Sequence, residues 1–341
     1  MLLAAAILIA APNPDIVPLK EKPSRAFSVV LPSETWQAVG STFAIPHAGG
    51  EGFAVRPAGE GLEIDTDGDG AFDRVVEGVL DEDTGVRSGY TVLVGERASG
   101  TRLRYGLRLR NEGKGWQWSV GGSVTGRIGD LKVAVIDMDG DGVYGEIGQD
   151  ALVLGSSENA AYLSETLVVG ETVHSLTVAR DGSQLTLGAY DGPLGVLEVT
   201  AGLEADARLL KAIVRSVDGK HSFDLARLGE EPRLPIGRYR LHGALLGLGD
   251  ARVDVLEGRM RPIEVTASAD TTLAWGGPTK AEFEFERAGG EVAFDPNRVW
   301  WYGAAGEEYR GWAPIGKSPE FTIKERKLGT ELKKALFPGS C

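Results

Sequence analysis

A strict alternation of apolar and basic side chains runs through Thr101–Arg110. The odd positions from Leu103 to Leu109 are apolar, and the even positions are arginines except for one glycine. Successive side chains of a β-strand point to opposite faces, so this period of two predicts a half-buried strand. Similar alternation recurs in four further segments: Leu131–Val135, Arg238–His242, Arg252–Val255 and Ala281–Glu286.

Glycine-containing turns separate the alternating segments, as at Arg180–Ser183 and Val217–Lys220. Glycine accounts for 48 of the 341 residues, about twice its usual share, and shows no collagen-like period of three. Helical periodicity is confined to two short segments, Glu204–Leu210 and Leu328–Leu336. The sequence therefore predicts an all-β, multidomain protein built of antiparallel β-sandwiches or barrel-like sheets.

Composition shifts along the chain predict its organisation. Residues 2–11 are apolar and end in small residues, which is typical of a secretory signal, and residues 12–32 carry five prolines. The predicted segments are 1–11, a candidate signal; 12–32, a proline-rich linker or extended arm; 33–200, a β domain; 201–270, a β-sandwich-like domain; and 271–341, a small β-rich C-terminal domain.

Two Asp-rich loops are the strongest chemical signal in the sequence. The first places carboxylates at positions 1, 3, 5 and 9, and the second at positions 1, 3 and 5; both have glycine at position 6. A hard cation such as Ca²⁺ takes six to eight oxygen ligands, and glycine at position 6 permits the sharp turn that lets alternate aspartates converge. The aspartates are Asp65, Asp67, Asp69 and Asp73 in the first loop, and Asp137, Asp139 and Asp141 in the second.

Both loops resemble the calcium loop of the EF-hand and the DxDxDG loops of thrombospondin type 3 repeats and dockerin-like modules. The resemblance implies two Ca²⁺ sites, with backbone carbonyls supplied at position 7 by Ala71 and Val143. Position 12 lacks the bidentate glutamate of the EF-hand, so the second loop needs further ligands, for which Glu146 and Asp150 are the nearest carboxylates. The alternative is that the Asp-Gly pairs are ordinary hairpin turns.

The C-terminal part carries a looser resemblance. Leu234–Leu241 resembles the LPxGxYxL strand of prealbumin-like and carboxypeptidase-regulatory-like sandwich domains. The segments Leu273–Pro278, Gly306–Tyr309 and Pro319–Ile323 are similar to immunoglobulin-like segments at the ends of large secreted bacterial proteins. Domains of these families are mostly structural or adhesive, and the resemblance implies no catalytic residue.

Catalytic motifs are absent from the sequence. It contains no GxSxG elbow, no phosphate-binding Walker loop and no HExxH, and its four histidines are far apart. Trp116 and Trp118 are two residues apart, so both would project from one face of a strand. They would form either a stacking platform for sugar rings or part of a sandwich core.

Net charge, apolar runs and cysteine content restrict the classes of protein to which this chain can belong. The chain has 36 basic and 49 acidic residues, and its net charge of −13 argues against a nucleic-acid partner. The longest apolar run is too short to span a membrane, and the single cysteine, Cys341, allows no intrachain disulfide. We therefore expect a secreted, periplasmic or cell-surface protein that is structural or binds a polysaccharide or another extracellular protein. The alternative is a carbohydrate-binding module or a carbohydrate-active hydrolase.

Overall fold

The computed structural model describes residues 14–25, 27–203, 206–288, 291–311 and 320–336. The candidate signal at residues 1–11 and Cys341 lie outside these ranges. Within them the chain forms strands throughout, with a 3-10 turn at Leu225–Arg227. The all-β prediction is therefore confirmed. In the same ranges no helix has the length and apolar character needed to cross a membrane.

The strands of the first 128 residues are short, apart from two of ten residues each. They are β1 (Asp15–Pro18), β2 (Lys20–Pro23), β3 (Gln37–Ala38), β4 (Thr42–Phe43), β5 (Phe53–Ala58), β6 (Gly61–Ile64), β7 (Arg74–Val76), β8 (Val79–Leu80), β9 (Arg87–Glu96), β10 (Arg102–Asn111), β11 (Trp116–Val120) and β12 (Gly122–Ile128).

The next strands surround the second Asp-rich loop and continue to residue 224. They are β13 (Leu131–Ile136), β14 (Ala151–Leu154), β15 (Ala161–Tyr162), β16 (Thr166–Val169), β17 (Thr172–Val178), β18 (Gln184–Ala189), β19 (Leu194–Glu198), β20 (Arg208–Ser216) and β21 (Ser222–Asp224). The last strands are β22 (Arg233–Pro235), β23 (Gly237–Leu248), β24 (Ala251–Leu256), β25 (Ile263–Val265), β26 (Thr271–Thr272), β27 (Lys280–Ala288), β28 (Glu291–Tyr302), β29 (Glu308–Arg310), β30 (Glu320–Lys324) and β31 (Glu331–Leu336).

The strands pair into several sheets, and within the described residues every pairing of these strands is antiparallel except that of β19 with β26. The N-terminal part contains the sheets β3-β11-β10-β9-β8, β4-β5-β6-β7, β15-β14-β13-β12-β2 and β1-β18-β17-β16. The C-terminal part contains β22-β19-β26, an eight-stranded sheet in the order β21-β20-β23-β24-β29-β28-β27 with β25 paired to β23, and the hairpin β30-β31.

The sheet that contains β13 is the central layer of the N-terminal part. Val133 and Val135 pack in one core cluster with residues of β16, β17 and β18, whereas Ala134 and Ile136 pack in another with residues of β9, β10 and β11. A strand buried on both faces needs apolar residues at consecutive positions, which explains the run Val-Ala-Val-Ile at residues 133–136 and overturns the half-buried alternation expected for Leu131–Val135. The loop that leaves β13 therefore starts inside the protein.

The predicted segment boundaries do not coincide with the sheets. The described part of segment 12–32 is built into two sheets, because β1 pairs with β18 and β2 pairs with β12. At the C-terminal side, β19 pairs with both β22 and β26. Leu197 and Trp275 belong to one core cluster. The boundaries near residues 200 and 270 therefore cross a single core.

The described residues of the two segments with helical periodicity, Glu204–Leu210 and Leu328–Leu336, form no helix. Residues 208–210 begin β20, and Glu331–Leu336 forms β31. β20 pairs with β23, and β31 pairs with β30. Backbone hydrogen bonds to a neighbouring strand outweigh the weak helical preference of such short segments.

Candidate metal centre

The second Asp-rich loop, Asp137–Asp150, connects β13 to β14 and begins with a fully buried carboxylate. The exposed fraction of Asp137 is 0%. Its Oδ2 accepts hydrogen bonds from the Tyr105 hydroxyl at 2.8 Å and from the Gly142 N–H at 2.6 Å. Its Oδ1 accepts from the N–H groups of Gly140 at 2.7 Å and Asp141 at 3.2 Å. Asp137 thus holds the loop in a tight arc around its own carboxylate.

Asp150, at the end of the same loop, is the most informative residue of the site. Its exposed fraction is 0%, and its Oδ2 accepts a hydrogen bond from the Glu146 N–H at 2.9 Å. Among the described residues, its Oδ1 has no hydrogen-bond partner, and the same holds for the buried Oδ1 of Asp139. Burying a carboxylate oxygen that makes no hydrogen bond costs free energy. A bound ligand such as a cation would supply the missing partner of both atoms.

The structure brings the acidic residues of this loop into two overlapping groups. In one, carboxylate oxygens of Asp137, Asp139 and Asp150 all lie within 4.8 Å of one another. In the other, Asp139 is joined in the same way by Asp141 and Glu146. Both residues that the sequence offers as further ligands, Glu146 and Asp150, therefore lie beside the aspartates of the loop.

Burial and mutual repulsion disfavour ionisation of these groups in the metal-free loop. Burial, together with the carboxylates of Asp139 and Glu146, raises the pKa of Asp150 to about 7 despite the hydrogen bond that it accepts. Burial also raises the pKa of Asp137 well above its usual range, although Tyr105 donates to it. Burial, Asp141 and Asp139 likewise raise the pKa of Glu146. A bound cation would reverse all three effects.

Glycine is required where the second loop turns back on the protein. Gly142 has φ +80°. A Cβ atom there would lie 3.0 Å from Pro46 Cδ and 3.1 Å from Ile45 Cγ2. Both the left-handed backbone and the close approach of the loop therefore favour glycine at position 6.

The first Asp-rich loop connects β6 to β7 and has the same spacing in a different environment. Oxygens of Asp65, Asp67 and Asp69 lie within 4.8 Å of one another, but only Asp65 is buried. The two oxygens of Asp65 accept from the N–H groups of Gly68 at 2.8 Å and Gly70 at 2.9 Å. The first loop thus satisfies its buried carboxylate from its own backbone.

Asp73, at position 9 of the first loop, does not join the other aspartates in a group. Its two oxygens accept from the N–H and the hydroxyl of Thr66, each at 2.7 Å. Although partial burial raises it, these hydrogen bonds leave the pKa of Asp73 below its usual value. Position 7 is alike in the two loops: Ala71 donates its N–H to Asp69 and Val143 donates to Asp141, both at 2.8 Å.

The two tryptophans considered as a sugar-stacking platform are not both available. Trp118 is 2% exposed and packs edge-on against Phe43, with ring centroids 5.6 Å apart. Trp116 is half-buried, and its Nε1 donates to the Glu60 carbonyl at 3.1 Å. The interpretation as a core pair therefore fits their environment, and the exposed-platform interpretation does not.

Sequence reasoning missed two residues of the second loop's surroundings. Tyr105 donates to Asp137 from β10, and Gln37 Nε2 donates to the Asp139 carbonyl at 2.7 Å. Both partners are far away in sequence, and Tyr105 there resembles any other core residue of an alternating strand. No local signal in the sequence marks either contact.

Comparisons with known proteins assign the chain to no family. No protein-family model matches the chain, and searches of curated proteins and of solved structures find no match. The resemblances of the two Asp-rich loops and of the C-terminal segments are therefore local. Functional inference depends on the geometry of the sites themselves.

Proposed function

We propose that the second Asp-rich loop binds Ca²⁺ and that the protein is a secreted, calcium-stabilised structural or binding protein. The observation that carries the proposal is the buried Oδ1 of Asp150, which lacks a hydrogen-bond partner among the described residues and lies beside Asp137 and Asp139. An all-oxygen donor set of several carboxylates suits a hard cation, and Ca²⁺ tolerates the irregular geometry of such loops.

Calcium in the second loop would stabilise the junction between several parts of the fold. Met138 packs in the core cluster of β9, β10 and β11, whereas Tyr144 packs in the cluster of β16, β17 and β18. Gly148 lies against Arg215 of β20, whose guanidinium leaves no room for a side chain there. A cation that fixes the loop therefore fixes three neighbouring surfaces at once.

The first loop is the weaker of the two proposed calcium sites. Its Asp67 and Asp69 are exposed to water, and its buried Asp65 already has hydrogen bonds to both oxygens. Calcium sites of extracellular modules bind with Kd on the order of 10⁻⁴–10⁻³ M, and extracellular fluid supplies millimolar calcium. A site of such affinity would be occupied outside the cell, which supports the proposed address there. We propose a polysaccharide or another extracellular protein as the partner.

Thermal melting in calcium and in chelator tests the proposal. For a site of about 10⁻⁴ M, 2 mM free calcium contributes roughly 1.8 kcal/mol, or about 4–7 °C for an unfolding unit of 150–250 residues. We expect Asp150→Asn to abolish most of this shift, and Asp130→Asn, an exposed aspartate before β13, to leave it intact. Equal melting temperatures of the wild type in chelator and in 20 mM calcium would rule out the calcium site.

A further inference from the structure

A pocket of about 440 Å³ with both polar and apolar residues in its wall lies beside the second Asp-rich loop. Its size falls within the ~300–1,000 Å³ of typical small-molecule sites. Two loop residues, Gly145 and Ile147, form part of its wall. Six polar side chains face it, and none belongs to the Asp-rich loops: Glu165, Thr166, Ser175, Thr177, Tyr190 and His221.

Sheet geometry places the hydroxyl groups of this pocket side by side. Thr166 of β16 is the register partner of Ser175 on β17. Ser175 and Thr177 share one face of β17, while Leu176 between them is buried in the core cluster of β16, β17 and β18. The hydroxyl-bearing face of this hairpin therefore points away from that cluster and lines the pocket, while Val168 and Val173 of the same face pack in the core cluster of β19, β20 and β23.

The turn between β20 and β21 closes the pocket from the other side. The Glu165 N–H donates to the Lys220 carbonyl at 2.8 Å. Thr166 Oγ1 lies 2.9 Å from His221 Nδ1, and the His221 N–H donates to Ser216 Oγ at 2.9 Å. These hydrogen bonds fix the imidazole ring and the carboxylate-bearing segment before any ligand enters, which lowers the entropic cost of binding.

Several polar atoms of the pocket remain available to a ligand. Among the described residues, the Tyr190 hydroxyl and His221 Nε2 have no hydrogen-bond partner. The Glu165 carboxylate has one ion pair, with Lys220 Nζ at 3.7 Å, and its side chain is 46% exposed. The pocket thus offers hydroxyl and imidazole groups that donate or accept, together with a carboxylate acceptor and an aromatic ring.

Two carboxylates, those of Glu165 and Asp191, and one ammonium group, that of Lys220, lie near the pocket. Lys220 forms an ion pair with Glu165, and burial lowers the pKa of His221, which favours the neutral ring. Burial first, then Asp191 and Glu165, raise the pKa of Tyr190. These two acids near the ring disfavour an anionic ligand, and Lys220 offsets the attraction for a cationic one.

We propose that this pocket binds a neutral sugar residue, whose hydroxyl groups pair with Glu165 and His221 and whose apolar ring face packs on Tyr190. Mixed donors and acceptors around an aromatic ring match a polyhydroxylated ring that has polar edges and apolar faces. The inference deepens the binding role proposed above by naming the ligand class. The six polar groups lie outside both Asp-rich loops, and of the pocket wall only Gly145 and Ile147 belong to a proposed calcium loop.

Titration with neutral monosaccharides, followed by saturation-transfer NMR in calcium buffer, tests the inference. The panel is glucose, galactose, mannose, xylose and N-acetylglucosamine, with glucuronate and glucosamine as charged counterparts. We expect saturable binding of at least one neutral sugar below 20 mM and weaker binding of the charged counterparts. Tyr190→Ala and Glu165→Gln should each weaken binding about tenfold, since each removes a hydrogen bond or a stacking contact.

Matched controls separate the pocket from the rest of the surface. Glu171→Gln, an exposed glutamate at the β16–β17 turn, and Tyr302→Ala, a half-buried tyrosine outside the pocket, should leave binding unchanged. Glu165→Gln is at an exposed position and keeps the test valid if Tyr190→Ala does not fold. Absence of binding by every neutral sugar at 20 mM, or equal loss in the controls, would overturn the inference. Sugar binding without a calcium shift in melting temperature would overturn only the calcium proposal.

Discussion

The two Asp-rich loops have the same spacing of aspartate and glycine but differ in how far their carboxylates are exposed to water. In the first loop Asp67 and Asp69 are exposed, and both oxygens of the buried Asp65 are hydrogen-bonded. In the second loop Asp137 and Asp150 are both fully buried, and one oxygen of Asp150 has no partner among the described residues. The spacing of the aspartates defines a site that a cation can occupy, and the burial of their carboxylates determines how much a bound cation would stabilise the loop.

The difference follows from the strands that carry the loops. The first loop connects β6 to β7 in a four-stranded sheet, and β7 is its edge strand. The second loop leaves β13, whose residues pack on both faces within the central layer. Water screens the repulsion among the first set of carboxylates, whereas the low dielectric around the second set preserves it.

The largest expected contrast between the loops is in the pH dependence of the chelated protein. The pKa of Asp150 is about 7 in the folded, metal-free loop and 3.8 in the unfolded chain, so the folded state holds the proton more tightly. The free energy of unfolding should therefore fall as pH rises from about 4 to about 7, by roughly 4 kcal/mol from this group. Urea denaturation in chelator across this range measures the loss.

The Asp150→Asn variant isolates that loss. The variant carries no titrating group at this position, so in chelator it should keep the stability that the wild type loses, and above pH 7 it should be the more stable protein. Calcium should restore the wild type, whereas the variant should gain only the small contribution of the first loop. A wild type whose stability follows that of Asp150→Asn between pH 4 and 7 would contradict the assignment of a buried, unpaired carboxylate.

The glycine at position 6 gives the next largest contrast. Gly142→Ala should cost about 2–4 kcal/mol, because its left-handed backbone is strained by a Cβ atom and that atom would press on Pro46 and Ile45. Gly70 has φ +92° but open space around its Cβ position, so Gly70→Ala should cost only about 1–2 kcal/mol. Urea denaturation in chelator compares the two, and equal costs would show that the second loop is no more tightly packed than the first.

The local sequence pattern was sufficient to predict the strands and the Asp-rich loops, because both depend on residues that are near neighbours in sequence. The alternation of Thr101–Arg110 corresponds to β10, which spans Arg102–Asn111. Segment Leu328–Leu336 failed as a helix because Glu331–Leu336 pairs with β30, a contact that its own periodicity does not encode. Propensity is a weak prior where a neighbouring strand offers backbone hydrogen bonds.

The local sequence pattern could not predict which of the two Asp-rich loops has buried carboxylates. Sequence spacing favoured the first loop, whose fourth aspartate at position 9 completes the thrombospondin-like pattern, whereas the structure ranks the second loop higher. The ranking comes from burial, which depends on distant residues such as Tyr105 and Gln37. In the same way, the two-residue spacing put Trp116 and Trp118 on one face of β11 but left open whether that face meets water or the core.

The smallest expected effect belongs to the first loop, and it tests whether exposure makes that site weak. For a site of about 10⁻³ M, 2 mM calcium contributes roughly 0.6 kcal/mol, so Asp69→Asn should lower the calcium-induced melting shift by only about 1–2 °C.

Because water and salt reach these carboxylates, 0.5 M NaCl in chelator should reproduce most of the calcium effect on this loop. The same salt should do little for the buried carboxylate of Asp150, so in an Asp69→Asn background the calcium shift should survive high salt. If 0.5 M NaCl instead removes the whole calcium effect in the wild type, the two loops are equally exposed to solvent ions and the contrast in burial does not govern their affinity.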